Sequence, residues 1–204
     1  MIQIKFTKWQ LSGYQTTLTL FIAGLLFILF YSAGVLATPE TVIDDQDLFQ
    51  TVFPANSDIR EQQIPLDKNL RERIDKRFHI SPDIETVAVW MASDPEDGHL
   101  LGGMIKVDGM YQLHPLTVAI AMSVEQRINR VAIVAIDPEI HEAFESTIGV
   151  GYLKRYTMLS ARQLSYMANV LAKQDKPSAW LGDQIFQNGA ILASILEMHD
   201  QPTR

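Results

Sequence analysis

The chain has 204 residues, 17 basic against 24 acidic, and no cysteine. That length suits one domain with a short appendage, and a chain without cysteine has no disulfide, thiolate metal site, iron–sulfur cluster or cysteine nucleophile. Beyond residue 37 the balance is 15 basic against 24 acidic, a net charge of −9 that repels phosphate backbones, so nucleic acid is not an expected partner.

The first 37 residues differ from the rest, with Lys5 and Lys8 as their only charges. The 21-residue run "TLTLFIAGLLFILFYSAGVLA" (17–37) that follows is uncharged and long enough to cross a bilayer, and Trp9 and Tyr14 suit the membrane interface. Two outcomes fit: retention as a membrane anchor, or secretory cleavage after Val35-Leu36-Ala37. In both, Lys5 and Lys8 stay in the cytoplasm. Residues 38–204 are then exported, to the periplasmic face of the inner membrane or to the periplasm itself.

Residues 38–47, "TPETVIDDQD", read as an acidic linker, and the exported domain is expected over 48–204. "LFQTVFPANS" (48–57) sets Leu48, Phe49, Val52 and Phe53 on one helical stripe ended by Pro54. "LDKNLRERIDKRF" (66–78) repeats the pattern with Leu66, Leu70, Ile74 and Phe78, a helix packed by one face. "ETVAVWMA" (85–92) reads as a strand closed by the turn "SDPEDG", and "HLLGGMIKVDG" (99–109) as its return. Gly102-Gly103 marks a bulge or a close backbone approach. "LTVAIAMS" (116–123) and "INRVAIVAID" (128–137) flank the short connection "VEQR" and form a hairpin. Both strands are almost wholly apolar, so both faces are expected to be covered, with Val118, Ile120, Ile133 and Val134 in the core. "ARQLSYMANVLAKQ" (161–174) reads as a helix, and a closing helix follows Gly182. The predicted class is α+β, an antiparallel sheet of about four strands packed with helices and preceded by one N-terminal membrane segment.

Candidate chemistry is sparse. His79, His99, His114, His141 and His199 show no ligand spacing, so no metal site is expected. No G-x-S-x-G elbow or phosphate-loop motif occurs, and "GVGYLKR" (149–155) lacks the context of a nucleotide motif. "GDQIFQNGAILASIL" (182–196) stands out. Asn188 is a good N-cap and Gly189 admits a close approach, so a helix starting there would aim the free amides of Gly189 and Ala190 at an anion. Capping with no ligand is the alternative.

In order and spacing, most of residues 44–200 resemble the FMN-binding domain of the G subunit of the Rnf complex and of the C subunit of the sodium-pumping NADH:quinone reductase. They also resemble small exported FMN-binding proteins. "DLFQTVFPANSDI" matches the opening helix and "HLLGGMIKVDG" the glycine-bearing strand; "GDQIFQNGAILASIL" falls where the family carries its SGAT flavinylation motif. The resemblance implies FMN with its phosphate at Asn188, Gly189 and Ala190. It also implies electron transfer at the membrane with redox or complex subunits as partners, rather than an enzyme acting by itself. The departures matter: Ile191 replaces the flavinylated threonine and has no hydroxyl to esterify, Asn188 replaces the serine, and Ala193 replaces the second threonine. Covalent FMN is therefore not expected, and any FMN would be held non-covalently. A cofactor-free structural or assembly subunit, keeping the fold as a docking module, is the second reading.

Overall fold

Apolar, β-branched runs in the middle of the chain build the centre of a six-stranded antiparallel sheet. The computed structural model of the protein describes residues 39–148 and 150–199, so the membrane segment predicted before Thr38 lies outside the described residues. The strands are β1 (Glu40–Thr41), β2 (Asp58–Pro65), β3 (Thr86–Ser93), β4 (Leu100–Tyr111), β5 (His114–Ser123) and β6 (Ile128–Ile136). Their order across the sheet is β1-β6-β5-β4-β3-β2. Helices α1 (Asp45–Val52) and α2 (Lys68–Phe78) come early, and α3 (Pro138–Ile148), α4 (Val150–Leu153), α5 (Ala161–Leu171) and α6 (Lys176–His199) follow the sheet.

The α+β class is as expected, but among the described residues the sheet has six strands instead of about four. The two additional strands are its edges. β2, "DIREQQIP", pairs along its length with β3 yet keeps Arg60–Gln63 exposed, so it has no apolar face for a sequence pattern to reveal. Such charged edges, here closed by Pro65, discourage further pairing. β1 lies within the stretch read as a linker, pairing Glu40 and Thr41 with Ile136 and Ala135. In the same stretch the Asp44 carboxylate caps α1 by accepting from the Asp47 amide at 2.9 Å.

Both faces of the sheet are covered, as the apolar strands require. On one face Leu70 and Ile74 of α2, Phe144 of α3, Leu164 of α5 and Ile185 and Leu192 of α6 are buried with Val89, Ile105, Val118, Ile120 and Ile133. On the other, Leu48 and Val52 of α1 lie with Phe53 over Met104, Ala119, Ala121, Ala132 and Val134. Lys106 ties α1 down: its Nζ meets the Asp45 carboxylate at 2.8 Å and sits 4.5 Å above the Trp90 ring. All four residues predicted for the core of the β5–β6 hairpin are buried.

Gly102 and Gly103 serve both of the purposes expected of them. The β3–β4 register shifts beside Gly102, between Ala92 and Ser93. A Cβ on Gly102 would strike the Met122 carbonyl oxygen of β5, and one on Gly103 would meet Leu196, Met91 and Leu192 side chains within 3.4 Å. Gly102 therefore lets β5 lie close beside β4, and Gly103 lets α6 lie close on the sheet. At the other end of β4, Tyr111 pairs with His114 across a two-residue loop, Gln112-Leu113, with φ of 51° and 75°. Such loops favour Asn-Gly, because both residues need positive φ.

Candidate functional site

The helix expected to begin at Asn188 begins at Lys176. Its cap is Asp175, whose Oδ1 accepts from the Ser178 amide and Oδ2 from the Ser178 hydroxyl, both at 2.8 Å. Pro177 occupies the first turn, where its missing N–H costs no hydrogen bond. The Ser178 amide, and after it the Ser178 hydroxyl, hold the Asp175 carboxyl below the usual carboxylate range. The anion at the start of α6 is thus the protein's own carboxylate.

Asn188, Gly189 and Ala190 lie in the interior of α6, all buried. The helix passes through them unbroken, so their amides are committed to carbonyls one turn back. The Asn188 side chain donates from Nδ2 to the Gln184 carbonyl at 2.9 Å and caps nothing. The space above Gly189 is filled: a Cβ there would come within 2.7 Å of Leu164 Cδ1 and 3.3 Å of Met122 Cε. Gly182, seven residues earlier on the same side, faces Leu171 in the same way, at 2.9 Å. These two glycines let α5 pack closely against α6. Ile191 is buried, Ala193 is buried, and the Ser194 hydroxyl donates to the Ala190 carbonyl at 2.9 Å. An FMN phosphate does not fit at Asn188, Gly189 and Ala190, because neither free amides nor open space is present.

A different place is open. Beyond its short pairing with β1, the outer edge of β6 has no strand partner at residues 129–133 among the described residues. At one end Val42 and Ile43 donate to the Val134 carbonyl; at the other Ile128 exchanges hydrogen bonds with Met158 and Leu159. Between these lies a cleft of about 390 Å3 floored by Asn129–Ile133 and walled by Val42, Ile43 and Thr51 on one side and Leu153, Lys154 and Thr157 on the other. Arg130 and Lys154 supply its positive charge. The sequence carried a signal for it: Asn129-Arg130 is a polar interruption in an otherwise apolar strand.

The histidines stay apart, and no group of three or more His, Asp or Glu able to hold a metal occurs among the described residues. His114 Nδ1 lies 3.1 Å from Asp137 Oδ2 and 3.6 Å from Glu139 Oε2. Asp137 Oδ1 also accepts from the Glu139 amide at 2.9 Å, and this bond, with His114 second among the favourable contacts, holds its carboxyl below the usual range. That arrangement caps the start of α3. His79 ends α2 in the left-handed conformation. Near α4, the Tyr152 and Tyr156 hydroxyls are buried without a hydrogen-bond partner among the described residues, and burial, chiefly, pushes the Tyr156 phenol far up. Comparison with protein-family models, curated proteins and solved structures gives no match.

Proposed function

We propose that the protein is a membrane-tethered accessory subunit whose exported domain docks a partner without holding flavin. The observation that supports this reading is the packing at Gly189, where Leu164 and Met122 occupy the volume a phosphate would need. A covalent tether is disfavoured twice over, since residue 191 has no hydroxyl and its position is in the core. The cleft along the unpaired edge of β6 is the docking feature. An extended segment of a partner subunit can add there as a strand, with backbone groups giving affinity and the cleft's Arg130 and Lys154 favouring acidic side chains.

One observation favours a second reading, in which FMN binds non-covalently as in an electron-transfer subunit. The β6 cleft is within the size range of small-molecule sites and has two cations for a phosphate. The visible absorption spectrum of the full chain, purified from cells that also express a flavin transferase, separates the readings. The docking reading expects a colourless protein and no fluorescent band on a denaturing gel, for the wild type and for Asn188→Ser with Ile191→Thr alike. A flavin band in the native spectrum supports the second reading, and flavin surviving denaturation overturns the placement of residue 191.

A further inference from the structure

The two-residue loop that joins β4 to β5 breaks a local rule. Both of its residues adopt positive φ, yet they are glutamine and leucine rather than asparagine and glycine. Leu113, at φ 75°, is also the most exposed of the large apolar side chains among the described residues, at 85 %, and Met110 on the same tip is 57 % exposed. A leucine held in an unfavourable conformation and presented to solvent gains nothing from the fold of this domain. Breaches of this kind mark sites with a task outside the core.

The location suggests what the tip meets. Pro39 lines the same shallow cleft as Met110, Pro115 and Thr117, at the root of this hairpin. In sequence, Pro39 follows the last residue of the apolar run, Ala37, by two positions, about 7 Å of chain at most. Pro39, the first described residue, thus lies at the end of the sheet that carries the tip.

Helix α6 brings two further features to this end. It lies antiparallel to β4, with Leu192 and Leu196 beside Gly103 and Trp180 beside Gly109. Lys176, one turn before Trp180, therefore lies further toward the tip, and the exposed Lys173 is on the connection just before it. Trp180, half-buried, packs edge-on against Tyr111 with centroids 6.1 Å apart. Apolar tip, half-buried tryptophan and flanking lysines are the composition of a bilayer interface.

Acidic groups share this end, and most are engaged. Asp108 accepts from Thr117, Asp137 is bonded to His114 and the Glu139 amide, and Asp175 caps α6, leaving Glu40 and Glu139 as the looser charges. Attraction to anionic lipid is not the driving term, because these carboxylates oppose it. Burial of Leu113 and Met110 in a neutral interface is.

We propose that the β4–β5 hairpin tip is seated in the bilayer interface, with Leu113 and Met110 about 5–10 Å into the headgroup–acyl boundary. The proposal rests on retention of the anchor and goes beyond the docking reading, which uses the β6 edge.

The chain lacks cysteine, so single labelling sites can be introduced without removing any native one. Leu113→Cys, Met110→Cys and, in the turn at the opposite end of the sheet, Glu125→Cys would each be labelled with nitrobenzoxadiazole. The full chains would then be reconstituted in phosphatidylcholine vesicles. The proposal expects emission from sites 113 and 110 to shift to the blue and be quenched by nitroxide-bearing lipid, while site 125 stays water-like and unquenched. If the chain co-floats with vesicles but sites 113 and 110 remain water-like, tip insertion is overturned and the anchor stands. That outcome would leave the tip free for a protein partner. If the chain does not co-float, or the mature protein begins at Thr38, the anchor is overturned and insertion with it.

Discussion

A carboxylate that accepts both an amide and a hydroxyl hydrogen bond stays ionised to lower pH than a free one, and Asp175 is in that position. Its folded-state pKa is depressed below that of the unfolded chain. The stability it contributes is therefore fully present above the unfolded value, about 4, and is lost as pH falls through the lower folded value. Asp175→Ala should destabilise the domain by about 1 kcal/mol at neutral pH, the usual cost of a lost N-cap. Asp175→Asn should retain most of the cap and reduce the dependence on pH below about 4. Denaturant unfolding of the three proteins at neutral and acid pH measures both effects. An alanine variant as stable as the wild type would mean that α6 is not capped there. The capping pattern Asp175-Lys176-Pro177-Ser178 is legible in the sequence, yet Gly182 and Asn188-Gly189 look like stronger breaks. They are not breaks: the helix runs through both, and the glycines leave the room that Leu164 and Leu171 of α5 occupy.

At the scale of elements, the β5–β6 hairpin carries the core. Ile133 is 3 % exposed and belongs to the larger of the two apolar clusters. Ile133→Ala should cost about 2–5 kcal/mol, the range for a large-to-small change in a packed interior. A loss below about 0.5 kcal/mol in chemical denaturation would make the strand peripheral. Strands β3 to β6 were readable because each is rich in β-formers and bounded by turn residues, and α2 and α5 because their apolar residues keep helical spacing. Strand β2 was not, since an edge strand with four successive exposed residues carries no burial pattern. Nor was β1, whose two residues are placed by pairing with distant Ile136 and Ala135 and not by any local preference. The β6 cleft is likewise non-local: Val42 and Lys154 line one space across more than a hundred residues of chain.

For the molecule as a whole, the resemblance and the packing give different answers at one place, Asn188-Gly189-Ala190. The family motif would place this stretch at the free start of a helix facing a phosphate. The packing puts it inside a helix of 24 residues, under Leu164 and Met122. The reading of the protein as a flavin-free docking subunit turns on that difference. Amide hydrogen exchange along α6 in the full chain, with and without added FMN, tests it most directly. The account predicts that the Gly189 and Ala190 amides are among the most slowly exchanging of the helix and that FMN leaves them unchanged. Rapid exchange at these two amides, slowed when FMN is added, would contradict it.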